Sequence, residues 1–498
     1  MPQDSNANEQ TPESVEPTPV FERESPKEDI IPEELPEETP EDLTVSDIEG
    51  GSSGDDFTIP PPESVSFSEG GSKKYVAIGI GVVIVILLFI GILTFLLSLR
   101  GNKKEITLEY WGLWEDEQVF APIIEEYHRN NPKITVKYVK QDPQSYREKL
   151  IARGKEGRGP DIFRFHNTWL PSIIEIAAPI PAKIMPAAEF EKTFYQVAQD
   201  DLKVDKSYHG LPLEIDGLVL VYNNDLFKKA GISTAPQTWE DVVRSASSLR
   251  VQAPGGDILT SGIALGTADN LEHFSDILGW MFIQNGADIR SLDKQEAVEV
   301  LRNYRRFAEP PLNFWNQHMS NNIPAFVQGK VAMIIVPSWR ILEIKEQNPD
   351  LEIKVTKLPI LPGNQPVSLA TYWVEGVSRT SKNQMEAWKF LKYLTQKETM
   401  QKLYKEQSNT RLFGEPYSRV DLRDDLIQNE YIGPVLEQAP FMKSLPLASR
   451  TFDNGINDQI IKYLKDAVNA TIQGVSYEQA LDTASKGIDQ VFKQYNIE

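Results

Sequence analysis

Several short stretches bring an aromatic ring next to hydrogen-bonding side chains. Trp111-Gly112-Leu113-Trp114-Glu115-Asp116 is one, and His166-Asn167-Thr168-Trp169 is another. Glu214 and Asp216 stand inside the apolar run Leu211 to Val221, where a charge is either paired or functional. Further on, Val336-Pro337-Ser338-Trp339-Arg340 ends a predicted strand. Thr371-Tyr372-Trp373-Val374-Glu375 repeats the aromatic–carboxylate pairing, and Asn409-Thr410-Arg411 adds an amide, a hydroxyl and a guanidinium. Asp269, Asn270 and His273 are further candidates of the same polar kind. An indole or phenol offers a rigid face for stacking, while carboxylates, amides and guanidinia fix orientation by hydrogen bonds. That chemistry is non-covalent recognition of a small molecule.

Catalytic signatures are absent. The chain has no G-x-S-x-G, no H-E-x-x-H, no Walker loop and no Gly-rich dinucleotide fingerprint after a strand. The five histidines, at positions 128, 166, 209, 273 and 318, lack metal-ligand spacing. Cysteine is absent, which removes disulfides, thiolate metal sites, Cys nucleophiles and a lipid-modified N-terminal Cys. We therefore expect no catalytic residues, no metal and no cofactor. Carboxylates are numerous enough that a glycosidase pair stays open on counting alone.

The elements that must position these residues follow from periodicity. Ile106–Trp111 alternates apolar and polar residues as a strand does. Val119, Phe120, Ile123, Ile124 and Tyr127 mark one face of a helix that ends at Asn130-Asn131-Pro132. Ile134, Val136 and Tyr138 alternate again. Tyr146, Leu150 and Ile151 suggest a short helix capped by Ser145, and Asp161–Phe165 is a third strand. The order β-α-β-α-β predicts an α/β fold with a parallel sheet and helices on its faces. Ligands on such sheets bind at the carboxyl ends of strands, which puts Gly112–Asp116 and His166–Trp169 on one rim. Thr238 is expected to cap a helix with Trp239, Val242, Val243, Ala246 and Leu249 inward. Ser381 and Gln384 make a capping box before Met385, Trp388, Leu391 and Leu394. Trp239 and Trp388 are thus expected in the core, and two closing helices fall near Asp458–Gln473 and Ser476–Tyr495.

At 498 residues the chain is too long for one core, which stops growing near roughly 250–300 residues. Residues 1–74 hold 20 acidic and 4 basic residues, so −16 of the net −21 belongs to them and −5 to the rest. No basic footprint for nucleic acid is present. Rich in Pro and Glu and poor in apolar residues, the first segment is expected to be a disordered acidic tail. Tyr75 to Leu99 carries no charge over 25 residues. As a helix it would span about 37 Å, enough to cross a bilayer. Ala77 and Gly81 form a small-xxx-small pair within it. Flanking charge, Lys73 and Lys74 against Arg100, Lys103 and Lys104, slightly favours the C-terminal side as cytoplasmic. A short linker, 100–104, leads to a globular part at 105–498.

Five segments in order carry a resemblance. They are Tyr208-His-Gly-Leu-Pro-Leu-Glu-Ile-Asp-Gly-Leu-Val-Leu-Val-Tyr-Asn-Asn-Asp-Leu-Phe227, Pro236-Gln-Thr-Trp-Glu-Asp241, Gly262-Ile-Ala-Leu-Gly266, Ala325-Phe-Val-Gln-Gly-Lys-Val-Ala-Met333 and Glu386-Ala-Trp-Lys-Phe-Leu391. Together they resemble the extracellular solute-binding proteins of ABC importers, in the branch that includes maltose-binding protein. The resemblance covers essentially residues 105–498. It implies two α/β lobes closing on a ligand as a hinged trap, lobe one at about 105–213 and 364–398, lobe two at about 218–357 and 399–498. Crossings would fall near Glu214–Gly217, Leu358–Gly363 and Thr395–Met400.

It also implies a ligand, a sugar or oligosaccharide, and a partner, the subunits of an ABC permease. It places the lobes outside the cell membrane and the N-terminus inside, against the slight flanking charge. In the sugar-binding branch a Trp matching Trp339 stacks on ligand, and the Glu214–Asp216 segment lies at the cleft floor. The expected ligand contacts are accordingly Trp114, Glu115, Asn167, Trp169, Glu214, Asp216, Trp339, Tyr372, Trp373 and Arg411. An uncleaved helix and long tail depart from the usual family arrangement. A receptor ectodomain that signals through helix and tail is therefore the alternative, followed by a tethered glycosidase.

Overall fold

The computed structural model describes residues 86–89 and 105–497. Residues 86–89 are helical, with Ile86, Leu87, Leu88 and Phe89 exposed. The rest of the expected span at 75–99, its Ala77–Gly81 pair, the tail at 1–74 and the linker at 100–104 lie outside the described residues. Among the described residues no helix is long and apolar enough to cross a membrane.

Within 105–497 the principal strands are β1 (Ile106–Gly112), β2 (Ile134–Lys140), β3 (Ile162–His166), β4 (Leu211–Pro212), β5 (Leu218–Asn223), β6 (Met333–Pro337), β7 (Ile353–Thr356) and β8 (Trp373–Val377). They form two sheets, one per lobe. The first has the order β2-β1-β3-β8-β4, with β1 parallel to both β2 and β3. Strand β8 returns from far along the chain and runs antiparallel to β3, pairing Trp373 with His166. An antiparallel strand starts where its neighbour ends. The first residue of β8 therefore joins the carboxyl ends of β1 and β3 on one rim. The second sheet, β6-β5-β7, is antiparallel throughout.

The first helix, Glu117–Asn130, buries Val119, Phe120, Ile123 and Tyr127 at helical spacing. Thr238 caps its helix in a full capping box with Asp241. Two expected caps are different. Ser145 sits in the left-handed region at φ 58° and caps nothing. Ser381 turns its hydroxyl to Asp161 and accepts the Asn383 amide at 3.0 Å, so Asn383 holds the cap position and Gln384 Nε2 donates to Arg379 O at 2.7 Å. A carboxylate at the head of β3 outbids the helix for that hydroxyl, because charge-assisted bonds are the stronger ones. Trp388 is fully buried as expected. Trp239 is half-buried, stacks on buried Trp280 at 5.2 Å and donates to Gln284 at 2.7 Å.

The lobes are joined where three segments run side by side. Glu214–Gly217 meets Ala370–Thr371, and Thr371 donates to Asp216 O at 2.9 Å. Gly217 is required here, since a Cβ would stand 2.4 Å from Leu369 O. Met442–Lys443 pairs with Ser368–Leu369 as the third segment.

The other two crossings differ from expectation. Leu358–Gly363 stays on the second lobe, where Leu358 N and Pro359 O bond Gln438 and Gln284; the passage comes at about 368–371. Residues 395–400 are not a crossing either. The helix Lys397–Ser408 buries Met400 and Leu403 and docks on the first lobe, Lys402 Nζ bonding Pro122 O at 3.0 Å and Glu126 at 2.7 Å. Arg419 still bonds Thr395 O at 2.9 Å; the chain has reached the second lobe by Glu430, which accepts from Lys354 Nζ of β7 at 3.3 Å, and Gln438 then donates to Leu218 O at 3.1 Å. The apolar stripe of that helix finds its nearest face on Glu117–Asn130, a pairing that local periodicity does not disclose.

Candidate functional site

A cavity of about 230 Å³ lies between the lobes. Its first-lobe wall is the sheet rim. Trp114 follows β1, His166 ends β3, and Trp373 opens β8 with Thr371 just before it. Trp373 is the centre of this wall. Its ring meets Trp114 at 5.3 Å, His166 at 5.2 Å and Trp169 at 5.3 Å, each edge to face. Such pairs add about 0.5–1.5 kcal/mol each beyond area burial. His166 bonds Thr168 Oγ1 at 2.8 Å and Thr371 Oγ1 at 3.0 Å. Burial pushes its pKa down to about 3, so it is a neutral hydrogen-bonding wedge at physiological pH.

The floor is acidic. Glu214 Oε1 accepts the Trp373 amide at 3.0 Å, and Asp216 accepts Gly217 N at 2.7 Å, Trp339 N at 3.3 Å and Ser338 N at 3.4 Å. Burial raises the Glu214 carboxyl well above the usual carboxylate range, with the Glu415 charge adding to it. The same two causes, in the same order, raise Asp216 to about 7. Arg411 lines the cavity next to Glu415, its guanidinium 2.6 Å from that carboxylate.

The second-lobe wall has two parts. Trp339 precedes the helix Arg340–Gln347, from which Leu342 and Glu343 also line the cavity. The Arg340 guanidinium lies 4.4 Å from the Trp339 ring centre, and His273 meets that ring edge-on at 5.7 Å. The other part is the loop Ser449–Phe452. Its backbone turns through left-handed conformations at Arg450 (φ 61°), Phe452 (54°) and Asn454 (42°). Bulky residues adopt these only when their surroundings hold them there. The hold is visible. The Asp453 carboxylate accepts Gly455 N at 2.8 Å, Asn457 Nδ2 at 3.0 Å and Asn457 N at 3.2 Å. Arg147, on the first lobe, donates to Asp453 O at 2.6 Å, and Asn457 donates to Thr168 Oγ1 at 2.7 Å. Gly455 leaves room for this tether, because a Cβ there would lie 2.3 Å from the Arg147 guanidinium.

Six of the expected contacts line the cavity: Trp114, Glu214, Asp216, Trp339, Trp373 and Arg411. Four do not. Glu115 points away into a buried pair with Arg164 at 2.6 Å and accepts Gln407 at 3.0 Å. Burial alone would raise its pKa, but Arg164, and after it Arg411, hold it below the usual range. Trp169 is core, packed beneath Trp373 and near Tyr146. Asn167 and Tyr372 turn together to Asp201, whose Oδ2 accepts Asn167 Nδ2 at 2.9 Å, Tyr372 OH at 2.8 Å and Ser444 OH at 2.7 Å.

The weaker candidates are also structural. Asp269 pairs with Lys465 at 2.7 Å, Asn270 holds Asn316 O at 2.9 Å, and His273 braces Trp339. Sequence reasoning did not single out Leu342, Glu343, Glu415 or Ser449–Phe452, and named Thr371 only as part of its stretch. For the last, the only local signal is the turn composition of Asp453-Asn454-Gly455.

Comparison with known proteins agrees with this architecture. A family model for bacterial extracellular solute-binding proteins matches residues 122–411. A putative binding protein of Brucella abortus is 26% identical over 290 residues, covering 56% of this chain and 69% of the relative. A maltodextrin-binding protein of Bacillus subtilis is 25% identical over 307 residues, covering 59% of this chain and 69% of the relative. Among solved structures, a cyclo/maltodextrin-binding protein complexed with maltotetraose aligns with TM-score 0.64 at 19% identity, covering 79% of this chain and 98% of that one. An ABC transporter solute-binding protein from Thermotoga lettingae bound with α-D-tagatose aligns with TM-score 0.60 at 21% identity, covering 77% and 99%. At these identities the structures establish the two-lobed fold.

Proposed function

This chain belongs to the bacterial extracellular solute-binding proteins, and on that premise we propose that it captures a saccharide between its lobes outside the cell and delivers it to an ABC-type permease. The observation that carries the reading is the cavity itself: indoles of Trp114, Trp339 and Trp373 share it with the polar groups of Glu214, Asp216 and Arg411. Aromatic faces stack on the C–H surfaces of sugar rings, and carboxylates and guanidinia bond hydroxyls. The maltodextrin-binding relative and the sugar-bound structures support the same ligand class. The uncharged run at 75–99 supports a tether, and the extracellular family supports lobes outside the membrane with the N-terminal tail on the cytoplasmic side.

Thermal unfolding of the full chain against a panel of mono- and oligosaccharides tests the proposal. A ligand at a hundred times its Kd adds about 2.7 kcal/mol, a midpoint shift of a few degrees. We expect a selective shift that Trp339→Ala abolishes. A flat response across the panel would remove saccharides as the ligand.

A further inference from the structure

The charges at the cleft floor do not balance. Five carboxylates gather there, Glu115, Glu214, Asp216, Glu375 and Glu415, against two guanidinia, Arg164 and Arg411. Arg164 serves Glu115 and Glu375, at 2.6 Å each, and Arg411 serves Glu415 at 2.6 Å. Glu214 and Asp216 have no cation of their own among the described residues. Both are nearly inaccessible, at 4% and 2% exposure, yet both line the cavity. One oxygen each of Glu115, Glu214 and Glu415 lie within 4.8 Å of one another, which concentrates the negative potential behind the floor. At the outer rim the charges do pair, Glu343 with Arg340 and Arg450 with Glu272. Of the formal excess, one charge belongs to the buried Glu115–Arg164–Glu375 network, and the rest falls on Glu214 and Asp216, which line the cavity.

Backbone N–H groups, one to Glu214 and three to Asp216, offset part of the cost of burying these charges; a proton, or a cation that arrives with the ligand, offsets the rest. The cavity suits an organic cation: Trp114 and Trp373 face it beside Glu214, and ammonium groups are attracted to indole faces. A bare metal ion would make no use of those rings.

We propose that the solute carries a cationic amine seated at Glu214 and Asp216, an amino sugar rather than a neutral saccharide. The inference rests on the saccharide reading above. The ammonium would take the place of protons on these carboxylates, so binding would release protons.

Isothermal titration calorimetry of the full chain at pH 7 tests it with four probes: the β-1,4-linked glucosamine disaccharide, its N,N′-diacetyl form, cellobiose and putrescine. We expect the amine disaccharide to bind at least about tenfold tighter than either neutral disaccharide. We expect Glu214→Gln, which is nearly isosteric, to erase that preference. For the parent chain, the apparent enthalpy should differ between buffers of unlike ionisation enthalpy, reporting proton release. Equal or tighter binding of a neutral disaccharide would overturn the amine and leave saccharide capture standing. Putrescine binding as tightly as the amine disaccharide would overturn the sugar part. Binding of none of the four would overturn the amino sugar, and only a flat saccharide panel would also remove the wider reading.

Discussion

Trp373 and Trp339 face the same cavity from opposite lobes, but they are held by different means. Trp373 opens a strand of a five-stranded sheet, in register with His166, and three aromatic rings grip it. Its backing is the buried Glu115–Arg164–Glu375 network, so its position is set by packing deep in the first lobe. Trp339 stands at a strand-to-helix turn, steadied by one guanidinium, one imidazole edge and the Asp216 carboxylate. Its companion loop, Ser449–Phe452, relies on left-handed backbone and on a tether to Arg147 of the other lobe. The first wall is rigid by construction. The second is conditional on contacts that cross between the lobes, and contacts of that kind are the ones a hinged closure makes and breaks.

The hardest test of the rigid wall is Arg164→Ala. Removing one partner of a buried ion network costs about 3–5 kcal/mol, so chemical denaturation should show a loss of that size. A loss under about 1 kcal/mol would mean that the network does not support the wall. Next comes pH. Asp216 is raised to about 7, chiefly by burial, so the folded chain binds that proton more tightly than the unfolded one. The stabilisation is complete below about pH 4, the ordinary Asp value, and is lost as pH rises through about 7. Midpoints measured from pH 4 to 8 should fall less for Asp216→Asn than for the parent; parallel curves would refute the assignment.

The paired substitutions Trp373→Ala and Trp339→Ala bear on the comparison directly. Both should weaken ligand binding, but the first should also cost about 2–3 kcal/mol of stability and the second about 1 kcal/mol, given their unequal packing. Equal losses in calorimetry would erase the distinction between the walls. The smallest expected effect is at the tether. Arg147→Ala should cost about 0.5–1 kcal/mol, lower affinity several-fold through faster dissociation, and enlarge the ligand-bound particle in small-angle scattering. Arg147→Lys should recover part of it. An unchanged dissociation rate would make the tether merely structural.

Much of this was legible in the chain. The β-α-β-α-β alternation, the rims at Gly112–Asp116 and His166–Trp169, and the aromatic–carboxylate pairs all follow from local periodicity and residue type. Strand ends place side chains at a rim whatever the rest of the fold does. What the sequence did not settle was direction. Glu115 adjoins Trp114 and Tyr372 adjoins Trp373, yet one of each pair enters the cavity and the other points behind it. At Tyr372–Trp373, where β8 begins, successive side chains leave the backbone on opposite faces, and which face meets the cleft depends on register with β3, some two hundred residues away; Glu115, in the bend after β1, is drawn instead to Arg164. The docking of Lys397–Ser408 on the first lobe, the unbalanced charges of Glu214 and Asp216, and the loop Ser449–Phe452 were likewise decided by tertiary structure. Burial and long-range partners set them, and neither is written in the spacing of neighbouring residues.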